Sequence, residues 1–236
     1  MFRKIAFGAV VAMGSIALAA PDAKDDLSAA AKKLADASNY SWKTTTESGQ
    51  FNTSQEGKTE KGGFTTLNIQ LGDNTVQAAM KGSKAAVKTE DGWKTTEEMA
   101  NSDQQGPGRF IGPMIAAIKP PGAQVEEYCS KLKDVKKDGD VYTANLTGEE
   151  AAALAPRRGR GGRGGRGGNA PQMQNAKLEL KMYTKDGVLT KYTSHITGTM
   201  NRGGQDVDID ATTTTEVTDI GSTKVDVPDD AKKKLE

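Results

Sequence analysis

Histidine and cysteine, two residue types that often carry out catalysis, occur once each, as His195 and Cys129. A catalytic triad or a histidine-based metal site needs an organised partner beside the imidazole. Strand alternation places His195 on a polar face, so we expect it to face solvent. Cys129 lies beside an apolar helical stripe, which favours a buried structural thiol. No nucleophile–base pair is visible, and we expect a protein that is not an enzyme.

Metal binding has little support in the sequence. One cysteine and one histidine exclude an intramolecular disulfide and a Cys/His zinc cluster within a single chain. Asp206, Asp208 and Asp210 lie on one face of a predicted strand. Alternate strand residues are about 7 Å apart, too wide for a compact calcium cage without further ligands. We therefore predict a solvated polar face, and neither a metal nor another cofactor.

The largest concentration of arginines lies in an arginine-glycine tract, RRGRGGRGGRGG, at 157–168. It holds five of the eight arginines, and without it the chain after residue 19 has 25 basic against 31 acidic residues. Its seven glycines favour a flexible loop, which we expect to be disordered over 156–175. The alternative is a ribbon that binds anionic partners through the five arginines, which are Arg157, Arg158, Arg160, Arg163 and Arg166.

The N-terminus has the features of an export signal. Arg3 and Lys4 precede an uncharged apolar run from Ile5 to Leu18, and Ala17-Leu18-Ala19 is a small-x-small cleavage pattern. The run is too short to span a bilayer as a helix. We predict a signal peptide at 1–19, cleavage after Ala19, and a periplasmic or secreted domain over 20–236 without a membrane span. Export argues against a nucleic-acid partner for the arginine ribbon.

Hydrophobic periodicity predicts one helix, about four strands, a helical middle and about six further strands. The first helix follows Asp25, and strands begin at Tyr40 and at Phe64. The polar segment 49–63 could form either an edge strand or a loop. We predict a three-residue loop at 185–187 that sets Leu180 opposite Tyr192, with His195 on the other face beside Lys177. A last short strand is expected over 224–227, before a terminal helix.

These elements predict an α+β fold in which one curved antiparallel sheet, an open half-barrel, is covered by a few helices. Only 35% of the residues are hydrophobic, so the core must be modest. The available covers are the first helix and the apolar segment 110–118.

The chain resembles a known family in three segments. These are KGSKAAVKTEDGW at 81–93, KDGVLTKY at 185–192 and IGSTKVDVP at 220–228. Together with the order of elements, they resemble the LolA-like periplasmic lipoprotein carriers and the related mycobacterial LppX/LprG lipoproteins, over about residues 23–236. The resemblance implies an open half-barrel that holds acyl chains. The arginine-glycine tract and the absence of a lipid-anchor cysteine depart from it.

Two functions remain open. The first is a carrier or sensor that binds a lipid or a lipoprotein acyl chain in an apolar cavity, without catalysis. We expect its lining to comprise Trp42, Leu67, Ile69, Met80, Phe110, Met114, Leu180 and Met182, although the same residues could form a closed core. Burial of a dozen methylenes would contribute about 9 kcal/mol before ordering costs. The alternative is a structural module of the cell envelope whose arginine ribbon binds anionic surfaces.

Overall fold

The computed structural model describes residues 22–49, 51–102, 108–154, 173–202 and 204–236. The predicted signal peptide, the arginine-glycine tract and the side chain of Phe110 lie outside the described residues. The helices are α1 (Ala23–Ala35), α2 (Thr96–Ser102), α3 (Gly108–Ala116), α4 (Pro121–Lys131), α5 (Gly148–Leu154) and α6 (Asp229–Leu235). The strands are β1 (Asn39–Ser48), β2 (Phe51–Glu60), β3 (Phe64–Leu71), β4 (Asn74–Lys81), β5 (Lys84–Thr89), β6 (Gly92–Thr95), β7 (Lys136–Asp138), β8 (Val141–Thr147), β9 (Met173–Lys185), β10 (Val188–Arg202) and β11 (Gln205–Thr218).

All eleven of these strands belong to one sheet, in the order β6-β5-β4-β3-β2-β1-β11-β10-β9-β8-β7. Every neighbouring pair is antiparallel, and the pairing of β1 with β11 joins an N-terminal meander to a C-terminal one. The edge strands β6 and β7 do not meet, so the sheet stays open. The predicted α+β class with an open antiparallel sheet is confirmed.

The segment 49–63 is neither an edge strand nor a loop, because β2 pairs with β1 on one side and β3 on the other. Gly57 explains how so polar a strand fits inside the sheet. Its missing side chain leaves room for the Trp42 indole, which crosses the strand at that point. With β2 included, six strands precede the helical middle and five follow it, instead of about four and about six.

The predicted register of the β9–β10 hairpin is wrong. The turn has two residues, Asp186 and Gly187, both with positive φ (54° and 69°). This is the backbone that a two-residue hairpin turn requires. A bulge follows between Leu189 and Lys191, and it sets Leu180 opposite Ser194 instead of Tyr192. The difference is two residues, so every side chain keeps its predicted face.

The main hydrophobic core lies on one face of the sheet, here called the inner face. Helix α1 begins after the N-cap Asp22. Of the apolar stripe that helical spacing predicts over 27–35, it buries Leu27, Ala30, Ala31 and Leu34, whereas Ala35 is half-buried. Helix α4 packs beside α1, and both lie over the inner face near β10. The predicted role of the first helix as a cover is therefore confirmed.

A second, smaller core lies on the outer face of β4–β6 and was not predicted. It joins Ala79 and Ala86 of the sheet to Ala231 and Leu235 of α6. The stretch 224–227, expected as a strand, forms no strand there. Val227 is buried in this second core beside Ala231 and Leu235 of α6. Its position is therefore set by packing against α6 and not by hydrogen bonds to a neighbouring strand.

Candidate functional site

The predicted lining residues divide into two groups in the structure. Trp42, Leu67, Ile69, Leu180 and Met182 are buried in the main core, each at most 4% exposed. Met80 and Met114 are partly buried and pack against that core. The buried group therefore closes the centre of the inner face, and the two methionines lie at its margin.

A pocket of about 460 Å³ opens at this margin. It lies between two hairpin turns, Gly62–Gly63 and Gly82–Ser83, and the connection from α3 to α4. Of the seven predicted lining residues whose side chains are described, Met80 alone lines it. Its lining is completed by Gly62, Gly63, Thr65, Gly82, Ser83, Ala116, Ile118, Lys119 and Pro120.

Backbone chemistry shapes this pocket. Gly62 and Gly82 have φ values of +69° and +60°, which only glycine adopts readily, so both hairpins turn tightly. Pro120 precedes α4 and Pro121 begins it, where a missing N–H costs no helical hydrogen bond. The connection from Ala117 to Pro120 therefore leaves α3 and enters α4 over a fixed path beside Met80.

Helix α4, which begins directly after the lining residue Pro120, is firmly held in the fold. The Tyr192 hydroxyl donates to Oε1 of Gln124 at 2.5 Å, and Nε2 of Gln124 donates to the Tyr128 hydroxyl at 3.1 Å. Burial raises the pKa of Tyr128 to about 12 and raises the pKa of Tyr192 further. Gly122 lies so close to α1 that a Cβ would be 2.7 Å from the Ala35 nitrogen. The helix therefore cannot slide without breaking buried hydrogen bonds.

Charged side chains border the pocket on the α4 side. Lys119 Nζ lies 2.9 Å from Glu127 Oε2, and Lys131 Nζ lies 3.4 Å from Oε1 of the same carboxylate. The hydrogen bond from Lys119 is the main cause that lowers the pKa of Glu127 below its ordinary value. One carboxylate is thus shared by two lysines at this rim.

A smaller pocket of about 240 Å³ lies between α1 and the turns of the C-terminal meander. Its lining includes Asp26, Lys33, Lys137 and Asp140. Lys137 is hydrogen-bonded to Asp26 at 2.5 Å and lies 5.3 Å from the Tyr142 ring centroid. This pocket is polar and partly filled by its own ion pair, and apolar contacts are few.

His195 faces away from the main core, as predicted, but its neighbour differs from the predicted one. It lies opposite Glu179 instead of Lys177, because the two-residue turn and the bulge in β10 each move the pairing by one residue. Its Nε2 is 2.9 Å from Asp210 Oδ1, and its Nδ1 is 4.0 Å from Glu179. All these side chains are exposed to solvent, and the contact with Asp210 is a surface hydrogen bond.

The other chemical candidates are placed as follows. Asp206 and Asp208 are exposed and accept hydrogen bonds from Asn201 and Thr199, at 2.8 and 3.2 Å. Within the described residues no group of three potential ligands is placed to hold a metal ion. Cys129 is buried, as predicted, and burial raises the pKa of its thiol to about 11.

Sequence reasoning missed most of the pocket. Ile118 belongs to the apolar stripe that predicted a cover, so its periodicity was a usable signal. Lys119 and the two glycine turns carried no such signal, because only the sheet order brings them together.

None of the helices in the described part of the chain has the length and apolar character needed to cross a bilayer.

The comparisons with known proteins were made at the level of sequence and of structure. No known family matches the chain in a scan with family models, and no curated protein matches its sequence. Among solved structures, the chain is similar to LprF from Mycobacterium bovis, with 12% sequence identity and a TM-score of 0.45. The match covers 90% of this chain and 98% of LprF.

Proposed function

We propose that this chain is an exported, non-catalytic carrier or sensor that binds an acyl chain at the pocket beside Met80. The observation that carries the proposal is the pocket itself, about 460 Å³ in volume and continuous with the margin of the main core. Ligand pockets of small molecules commonly have volumes of about 300–1,000 Å³. Apolar side chains of Met80 and Ile118 face a rim of turns and one lysine, which suits a ligand with an apolar tail.

The binding energy comes from burial. Each methylene that leaves water contributes about 0.8 kcal/mol, so twelve supply about 9 kcal/mol before the cost of ordering the chain. The pocket's own hydrogen bonds are few, so affinity follows the length of the tail. Catalysis has no place in this scheme, because the pocket lining contains no nucleophile with a base beside it.

The predicted lining residues keep a role in the proposal. Met80 makes first contact with the tail, and Met114 is likewise partly buried against the main core. Methionine has three rotatable bonds and adapts its shape to a guest at low cost. When these methionines change rotamer, a longer chain reaches a wall of buried side chains, namely Trp42, Leu67, Ile69, Leu180 and Met182.

Location and processing belong to the same proposal. The signal peptide at 1–19 directs export, cleavage follows Ala19, and residues 20–236 act as one domain outside the cytoplasm. In this compartment an acyl chain of a lipid or a lipoprotein needs a protein to shield it from water. The protein would supply that shielding with the pocket beside Met80.

Native mass spectrometry of the protein purified from an envelope fraction tests the proposal. We expect an adduct with the mass of a lipid, lost on organic extraction. The variant Met80→Trp fills the pocket and is expected to abolish the adduct. Val76→Trp is the matched control, because Val76 lies on the same face of β4, about 13 Å away, and is also partly buried. An adduct that survives in Met80→Trp and is lost in Val76→Trp would refute the site.

A second function rests on a separate observation, the concentration of five arginines within 157–168 of an otherwise acidic chain. We propose that this tract binds anionic envelope surfaces. Deletion of 157–168 is expected to abolish salt-sensitive binding to anionic vesicles and to leave the lipid adduct unchanged. Vesicle binding that persists after the deletion would contradict the proposal.

A further inference from the structure

We infer that the pocket beside Met80 prefers acyl chains with an anionic head group, a carboxylate or a phosphate, and that Lys119 confers this preference. The inference rests on the proposed function, since it assigns the head group of the ligand whose tail occupies that pocket. It concerns a residue that the sequence did not indicate and that no comparison assigns.

Lys119 occupies the boundary between apolar and polar lining. Its chain neighbours Ile118 and Pro120 also line the pocket, and its own side chain is 52% exposed. An amphiphile with its tail against Met80 and Ile118 therefore has its head group within reach of the lysine ammonium. A neutral head group gains no charge interaction in the same position.

The side chains at this rim carry an excess of positive charge. Glu127 is shared by Lys119 and Lys131, at 2.9 and 3.4 Å, so one of the two lysine charges has no equivalent counter-charge in this cluster. Lys119 can turn from Glu127 toward a ligand anion while Lys131 continues to pair with the carboxylate. This exchange keeps Glu127 neutralised, which lowers the cost of the movement.

The opposite rim repeats this arrangement. Lys61 immediately precedes the turn Gly62–Gly63, and its Nζ lies 2.9 Å from Asp36. Asp36 is also 3.3 Å from Lys32, so a second carboxylate is shared by two lysines. Glu60 is the acidic residue beside this turn, and its carboxylate accepts a backbone N–H at 3.2 Å. With Glu60 counted, this side has two lysines against two carboxylates, so the excess positive charge that attracts an anion lies on the Lys119 side.

Binding of three ligands with the same tail tests the inference, namely dodecanoate, dodecyl phosphate and dodecan-1-ol. Calorimetry of the full chain at pH 8, below the micelle concentration of each ligand, gives the ratios of dissociation constants. We expect at least one anion to bind about fivefold tighter than the alcohol, as fits a half-exposed charge pair. The anion with the larger ratio identifies the carboxylate or the phosphate as the natural head group.

Two variants assign the effect. Lys119→Met keeps the apolar stem and is expected to reduce the ratio to about one. Lys191→Met is the matched control, because Lys191 is also ion-paired, with its Nζ 2.7 Å from Glu216 Oε1, and it does not line the pocket. A ratio retained in Lys119→Met, or lost equally in Lys191→Met, overturns the inference.

The two proposals fail in different ways. If dodecan-1-ol binds as tightly as both anions to the unmodified protein, the inference is overturned and the proposed function stands. If none of the three ligands binds, the proposed function fails and the inference fails with it.

Discussion

The close contact between Gly57 and Trp42 gives the sharpest test of how the inner face is packed. A Cβ built on Gly57 would lie 2.5 Å from Cη2 of Trp42 and closer still to two other ring carbons. Ordinary contact begins near 3.4 Å. In Gly57→Ala the indole must therefore withdraw by about 0.9 Å or more. The Tyr40 ring, whose centroid is 5.9 Å from that of Trp42, blocks movement of the indole in one direction.

The cost follows from the burial of the ring. Trp42 is 3% exposed, so any movement compresses its neighbours or opens a gap elsewhere in the main core. Overpacking of this kind lowers the free energy of unfolding by about 1–3 kcal/mol. We expect a loss in that range for Gly57→Ala.

Urea unfolding followed by tryptophan fluorescence measures this loss. Trp93 lies in the second core, so a Trp93→Phe background leaves Trp42 as the reporter. Gly112→Ala is the control, because its Cβ would be 3.6 Å from Thr96, an ordinary contact, and alanine favours a helix. Unchanged stability and emission in Gly57→Ala, with the control behaving normally, would refute the packing described for β2.

Three further predictions concern local structure. Thr95→Ala removes the hydroxyl that accepts from the Glu98 N–H at 3.1 Å in a capping box, and urea unfolding should show a loss of about 1 kcal/mol; no loss would contradict the cap. Tyr192→Phe leaves the Gln124 amide oxygen without its 2.5 Å donor and should lower the free energy of unfolding by about 1–3 kcal/mol. Adding Gln124→Leu to this variant removes the unpaired oxygen and should recover part of that loss; additive losses would argue against the pair. Because burial raises the pKa of Cys129 to about 11, the folded protein should resist a thiol reagent at pH 8 and react fully in urea; rapid reaction of the folded protein would exclude the buried position.

The elements that sequence predicted best are those with strong local signals. The alternation of Leu67 and Ile69 identified β3 with both ends correct, and the apolar spacing of α1 identified its buried stripe. A turn at Asp186–Gly187 was expected, but its length and register were wrong. Two residues form the turn instead of the three of 185–187, and a bulge in β10, which depends on tertiary packing, moves the pairing by one further residue. Counting from the loop alone cannot reveal an extra residue further along the strand.

The parts that sequence missed depend on contacts between distant segments. Strand β2 has no apolar side chain after Phe51, and only the Trp42 ring across Gly57 shows why it lies inside the sheet. The site was predicted as a broad apolar face, whereas five of its residues are packed together and Met80 alone lies at the pocket. Apolar side chains look alike in sequence whether they contact each other or a guest, so periodicity cannot separate a core from a cavity.

The most direct measurement is the position of a ligand tail in a crystal grown with 12-bromododecanoate, located by the anomalous scattering of bromine. The account predicts one bromine site within about 4–4.5 Å of the side chains of Met80 or Ile118, or deeper along the margin toward Met114. A bromine site confined to the outer face, or crystals in which the ligand binds nowhere, would contradict the claim that this pocket receives an acyl chain.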